Sequence, residues 1–259
     1  MRVRTVALPV EHGGWGIALE PVLLGLMVEP SLAGFGLAVA TIGAFLARHP
    51  LKLVAADRRK RRRFPRTVMA ERFALLYGGI AALGLSVAFI ASPDNTFLWP
   101  IAVAAPLAVL QLVADAKGES RALLPELAGS AAMTTVAASI ALAGGRAMPV
   151  AFGLSAVLLA RVVPTILYVR ARLERLHGKE TGTALVATAH ILALGLVAWL
   201  AWLDVAPTIA VVMLSVLLLR ALVGFSLGLP GTAKKIGISE LVFGALTVIA
   251  VALGYMSGT

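Results

Sequence analysis

Long apolar runs fill nearly the whole chain and are broken only by short basic clusters. That pattern limits the possible folds more than any single motif. A helix rises about 1.5 Å per residue, so a hydrocarbon core about 30 Å thick takes about 17–25 residues to cross. Apolar runs close to that length lie near 14–28, 32–48, 73–92, 97–114, 127–143, 148–169, 183–203, 206–226 and 238–256. Backbone groups in lipid must be bonded within their own segment, which leaves helices as the natural reading of these runs. They predict an all-α, polytopic membrane helix bundle of about nine transmembrane helices, forming a single integral domain over 1–259. Composition agrees. The chain is 59% hydrophobic and 14% charged, against about 45–50% and about 25% in soluble domains. An ordinary soluble globule is excluded, and so is disorder. With no Cys among the 259 residues, disulfides, zinc–thiolate sites and thiol catalysis are excluded together. The first apolar stretch has no small-residue cleavage site and runs on into the second, so it reads as a span rather than a removable signal.

The connections alternate in character. Glu29-Pro30-Ser31, Ser92-Pro93-Asp94-Asn95, Gly144-Gly145-Arg146 and Asp204 to Pro207 are tight and nearly free of basic residues, while the others carry the charge. With the N-terminus placed inside, 22 of the 23 Lys and Arg residues fall on the inner face and only Arg146 falls outside. The positive-inside rule then predicts a multi-pass membrane protein, N-terminus cytoplasmic and C-terminus outside. The net charge of +10 therefore belongs to loops beside a bilayer, whose anionic lipids attract each nearby cation by about 1 kcal/mol. The implied partner is the membrane, not nucleic acid.

Several polar residues lie where topology alone does not account for them. The longest inner connection runs from Arg48-His49-Pro50-Leu51-Lys52 through Asp57 and the basic run Arg58 to Arg63 to Phe64-Pro65-Arg66-Thr67. The basic run reads either as a topology signal with headgroup attraction or as part of a site. His49, Lys52, Asp57 and Arg66 instead sit at helix ends, where charge is costly to desolvate; they either bind a phosphorylated headgroup or pair with each other. Glu11-His12 precedes the first span and can exchange a proton near neutral pH, or Glu11 can simply serve the helix N-terminus. Trp15 reads as an interfacial anchor. Glu20 and Arg161 lie inside spans, and intramembrane charge marks a functional candidate; Arg161 is also a candidate partner for Glu20 or Glu240. Lys117 and Arg121 lie in the charge-balanced fourth connection, where Glu126 after Pro125 reads as a helix-start acid. Arg170 and Glu174 are spaced for an intrahelical pair, and Pro164 withdraws a hydrogen bond from the helix that holds Arg161 and Tyr168. Walker, GxGxxG, GxSxG and HExxH motifs are absent from the sequence. The four His show no metal-ligand spacing.

The strings Pro9-Val10-Glu11-His12-Gly13-Gly14-Trp15-Gly16, His49-Pro50-Leu51-Lys52, Leu124-Pro125-Glu126-Leu127-Ala128-Gly129 and Pro164…Tyr168-Val169-Arg170-Ala171-Arg172 together resemble the YwiC-like family of bacterial membrane proteins. A more distant resemblance is to the UbiA superfamily of intramembrane prenyltransferases. These have nine helices and two Asp-rich motifs, whose acids hold magnesium on a prenyl diphosphate. Anchored on Arg66-Thr67, the first motif's last two acids fall on Asp57 and Arg61, and the preceding acid falls on Val54. Anchored on Gly178, the second falls on Arg170 and Glu174. One carboxylate survives per motif. That weakens the case for magnesium, which is held by oxygen ligands, while an Arg can bind phosphate oxygens directly.

The resemblance implies a UbiA-like protein that takes an anionic lipid or isoprenoid diphosphate at the cytoplasmic boundary. Asp57, Glu174, Glu11 and His12 are its catalytic candidates. His49, Lys52, Arg61, Arg66, Lys117, Arg121, Arg161, Tyr168, Arg170 and Glu20 are its substrate-binding candidates, and no metal ligands are assigned. Two other readings stay open. One is a transporter or lipid-binding protein that uses Glu20, Arg161 and Glu240. The other is an assembly factor in which the arginine run serves only orientation.

Overall fold

The computed structural model describes residues 3–9, 12–226 and 232–258, the side chain of His12 excepted. It contains a short helix α1 (Arg4–Ala7) followed by α2 (His12–Val28), α3 (Leu32–Arg59), α4 (Pro65–Ala91), α5 (Leu98–Lys117) and α6 (Leu123–Ala143). Then come α7 (Met148–Leu176), α8 (Ala184–Trp202), α9 (Thr208–Ser226) and α10 (Ala233–Ser257). No strand occurs among the described residues. Eight of these helices are long and apolar enough to cross a membrane, and the apolar part of α2, Gly13–Val28, is shorter. The chain is a polytopic helical membrane protein.

The largest departures of helix ends from the predicted spans are extensions into the basic connections. Reading by apolarity stops α3 at residue 48 and α7 at 169, but the helices run on to Arg59 and Leu176. At about 1.5 Å per residue, α3 with its 28 residues and α7 with its 29 exceed a core about 30 Å thick by a little over two turns. The basic connections are thus largely helical, and their side chains have fixed directions. Ser31 caps α3 by accepting from the Gly34 N–H at 2.9 Å, and Pro65 occupies the first turn of α4, where no donor is needed.

The chain forms two compact units, Met1–Arg146 and Ala147–Thr259. In the first, α3 packs against α1, α2, α4, α5 and α6. Its closest neighbour is α4, reached through a stripe of small residues at Gly36, Ala40 and Gly43. A Cβ added at Gly36 would lie 2.7 Å from the Gly84 carbonyl oxygen, and one at Gly84 would lie 2.5 Å from that of Gly36. Lipid supplies no hydrophobic drive between helices, so close backbone packing of this kind is what holds the pair. Trp15 meets Phe45 of α3 edge to face, with ring centroids 5.2 Å apart, and so contributes to helix packing. At the end of this unit with the short connections, Arg146 pairs with Glu29 at 3.5 Å.

In the second unit α7 packs against α8, α9 and α10, and α9 also touches α8 and α10. Its apolar core includes Leu154, Val157, Leu158, Val197, Leu214 and Leu217, all fully buried. Both units expose many large apolar side chains, as lipid-facing surfaces do. Trp99 starts α5 and Trp202 ends α8, both exposed, at helix ends that meet short connections. Trp is enriched at such interfacial positions.

Candidate functional site

The turn from α3 to α4 is built around Asp57. Its side chain is 0% exposed and its carboxylate accepts three hydrogen bonds. Arg66 donates from Nη2 at 2.5 Å and from Nε at 3.1 Å, and Thr67 donates from its hydroxyl at 2.7 Å. Thr67 also accepts from the Phe64 N–H at 3.0 Å, which fixes the start of α4. Arg66 lies over the Phe64 ring, 5.1 Å from its centroid. Asp57, Arg66 and Thr67 therefore form a clasp across the turn, and Arg61 at its tip takes a left-handed backbone with φ 49°. The residues from Arg58 to Arg63 are exposed. Glu71 on α4 reaches two of them, Arg63 at 2.7 Å and Arg58 at 3.5 Å.

About two turns before the clasp, α3 presents Arg48 and Lys52 to α5. Arg48 donates to Asp115 side-on, from Nε at 2.5 Å and from Nη2 at 2.9 Å. Gln111, one turn before Asp115 on the same helix, donates to it at 3.0 Å. The Lys52 ammonium lies 3.6 Å from the same carboxylate and donates to Ser120 at 3.0 Å. Asp115 and Gln111 are buried, while Arg48 and Lys52 keep 31% and 25% of their side chains in contact with solvent or lipid. One carboxylate thus serves two partly open cations. His49 points the other way, its Nε2 lying 3.1 Å from the Thr5 carbonyl of α1. Lys117 ends α5 favourably for the helix dipole, Arg121 is exposed in the following turn, and Glu126 stands in the first turn of α6. Glu20 is buried in α2.

In the second unit Arg161, Thr165, Tyr168 and Arg172 fall on one face of α7 at helical spacing, all buried. Arg161 donates to the backbone carbonyl of Glu240 on α10 at 3.0 Å. The Glu240 carboxylate is taken by Arg220 of α9, whose Nη1 lies 2.5 and 2.6 Å from its two oxygens. The Arg220 guanidinium sits over Tyr168 at 4.3 Å and over Phe243 at 5.1 Å. Arg172 bonds the Gly224 carbonyl. Arg170 is half-buried, and Glu174 is exposed in the last turn of α7.

Of the sequence-predicted residues, the structure brings Asp57 to Arg66, and Arg161 to the Glu240 backbone. It places Lys52 in a node whose other members, Arg48, Gln111, Asp115 and Ser120, were not singled out. Glu11 and the His12 side chain lie outside the described residues. Asp57 and Glu174 belong to different units. Also missed were Arg220, His190 and Thr165. Gln111, Asp115 and Arg220 left a signal: the first two are polar residues one turn apart near the end of an apolar run, and Arg220 interrupts Leu217-Leu218-Leu219. A magnesium cluster of the kind the distant resemblance implies does not fit this donor set. The oxygens of Asp57 already accept three protein donors, and among the described residues no three His, Cys, Asp or Glu converge.

Comparison with known proteins matches residues 8–141 to the family model described as YwiC-like protein. No curated protein and no solved structure matches the chain.

Proposed function

We propose, for a chain that belongs to the YwiC-like family, that it binds a phosphorylated or diphosphorylated isoprenoid or other anionic lipid at the cytoplasmic face of the bacterial inner membrane. The observation that carries this reading is the Asp115 node, where Arg48 and Lys52 share one buried carboxylate and both remain partly open. A shared acid holds the two cations in place without using up their charge. Such a pair suits phosphate oxygens, which guanidinium groups bind bidentately and ammonium groups bind as point charges. His49, Arg61, Arg66, Lys117 and Arg121 extend the basic surface of the same unit, and Asp57 acts by positioning Arg66. On this reading Arg170 and Glu174 belong to the corresponding connection of the second unit. The distant likeness to UbiA enzymes supports the ligand class rather than a reaction. The placing of the N-terminus in the cytoplasm and the C-terminus outside rests on the one-sided charge of the loops.

The test is a thermal shift of the purified protein with farnesyl or geranylgeranyl diphosphate, each with magnesium and with chelator. A ligand that binds only the folded state raises its apparent stability. Stabilisation that survives chelation and falls in Lys52→Ala and Arg48→Gln supports the reading. Stabilisation only with magnesium would restore an acid-held metal site, and no shift in either condition would sink the proposal.

A second reading, transport of an anionic amphiphile, is favoured by the charged network of Arg161, Arg220 and Glu240 inside membrane-spanning helices. It predicts that Glu240→Gln abolishes flux in reconstituted vesicles while binding at the basic surface persists.

A further inference from the structure

The middle of the second unit holds polar atoms that the packing leaves without partners. The Thr165 hydroxyl on α7, Nε2 of His190 on α8, and Nε and Nη2 of Arg220 on α9 are all buried, and none has a hydrogen-bond partner among the described residues. His190 is 1% exposed and Thr165 8%. A buried polar group left unmade costs about 1–3 kcal/mol, more when charged. Three neighbouring helices carrying such groups at once are not explained as packing accidents.

The groups share one level. His190 lies six residues after Ala184, Arg220 six before Ser226 and Glu240 seven after Ala233. Each is therefore about 9–10 Å from the helix end that meets a long connection. Thr165 lies one turn before Tyr168, whose ring carries the Arg220 guanidinium, and His190 is within electrostatic reach of that guanidinium. Val186, one turn before His190, packs in one cluster with Tyr168 and Ala221.

The directions of these atoms define what fits. Tyr168 and Phe243 cover the Arg220 guanidinium, and Glu240 takes Nη1. What remains is the side-on fork of Nε and Nη2, the edge that binds two oxygens of one oxyanion. Nδ1 of His190 lies 2.8 Å from the Val186 carbonyl, so the neutral ring holds its proton there and offers Nε2 as an acceptor. A hydroxyl such as that of Thr165 serves either way. Two donors for an oxyanion beside an acceptor for a hydroxyl match a hydrogenphosphate group: its ionised oxygens on Arg220, its P–OH toward His190. A carboxylate supplies no such proton. We propose that α7, α8 and α9 enclose a buried site for a phosphate monoester, with Arg220, Thr165 and His190 as its binding residues. This goes beyond the basic-surface reading above and stands or falls separately from it, since it uses none of the Asp115 or Asp57 residues.

The test uses the full-length protein in detergent, with dodecyl phosphate, laurate, dodecanol and inorganic phosphate as probes in thermal shift and equilibrium binding. Dodecyl phosphate is expected to bind, with laurate at least about tenfold weaker and dodecanol without effect. Binding of inorganic phosphate with equal affinity would identify the free ion, rather than a lipid headgroup, as the occupant. Thr165→Val is the decisive variant. Its hydroxyl has no partner among the described residues to lose, so the ligand-free protein should melt at the same temperature or higher while dodecyl phosphate binds about tenfold more weakly. Arg220→Lys keeps a charge for Glu240 but loses the fork, and should weaken binding further. Lys52→Ala, which removes the basic-surface contribution, should leave unchanged the part of the binding that Thr165→Val weakens. Equal affinity in the wild type and Thr165→Val, or equal binding of dodecanol, would overturn the site and leave these groups to internal water.

Discussion

Removing the Asp57 carboxylate distinguishes a residue that holds the turn from one that performs chemistry. In Asp57→Ala the Arg66 guanidinium loses both its bonds and the Thr67 hydroxyl loses its acceptor. Removing one member of a buried ion pair costs about 3–5 kcal/mol. The Arg66 side chain is 42% exposed, however, so solvent recovers part of that charge, and the expected loss falls to about 2–3 kcal/mol. Arg66→Ala should cost at least as much, because it strands a carboxylate with no exposure of its own. The double variant should cost less than the sum by about 1–2 kcal/mol, since neither charge is then left behind. Equilibrium unfolding by SDS in mixed micelles measures all three, and farnesyl diphosphate thermal shifts on the same samples report binding. If Asp57→Ala unfolds within about 0.5 kcal/mol of wild type and its ligand shift disappears, the carboxylate is a functional group and the clasp argument fails.

Gly84→Leu should destabilise the first unit by about 2 kcal/mol or more, because a Cβ there meets the Gly36 oxygen and the Ala40 nitrogen at 2.5 and 2.6 Å. Gly79→Ala on the same helix meets nothing within 4 Å and should be neutral or stabilising by about 0.5–1 kcal/mol in the same unfolding assay. Neutralising Lys60, Arg61 and Arg62 should weaken association of the protein, held in neutral-lipid nanodiscs, with vesicles rich in anionic lipid by about 1 kcal/mol per residue at low salt, an effect that shrinks in high salt. In the Ser92–Phe97 turn, the Thr96 hydroxyl and backbone N–H hold the Asp94 carboxyl below the usual aspartate range. This contribution to the turn is complete above the ordinary aspartate value and is lost as pH falls through the lowered one, which a carboxyl NMR titration against Thr96→Val would show.

The fold was legible because lipid imposes a length and an apolarity on each segment, and all nine predicted spans coincide with helices. What apolarity could not give was the continuation of α3 past Arg48 and of α7 past Val169. Arg48 and Arg170 mark the span ends by hydropathy, but a helix already bonded inside the membrane extends at little cost, and Arg48 finds an acceptor in Asp115 on α5. Asp57 and Arg66 could be singled out because they flank an obvious turn. Asp115 could not, since its partners on α3 lie 67 and 63 positions away and pair only once α5 packs beside that helix. His190 was hidden for the opposite reason, a lone histidine among apolar residues whose significance depends on Arg220 and Thr165 coming near.

The two units solve the same electrostatic problem in different ways. In the first, a single acid on α5 holds two cations of α3 that remain partly open, so a net positive charge is presented near the helix ends. In the second, the acid of α10 is consumed by Arg220 and its backbone carbonyl by Arg161, in a layer buried within the helices. Charge buried that deeply is retained at a cost unless something offsets it, whereas the surface node needs no ligand to be stable. Ligand dependence should therefore divide the chain. Removing all anionic amphiphiles should lower the protection of α7, α8 and α9 amides in hydrogen exchange while leaving the α3–α5 contact almost unchanged. Equal loss of protection in both units would show that the buried layer is stable by itself and that the orphaned donors of Arg220 await no oxyanion.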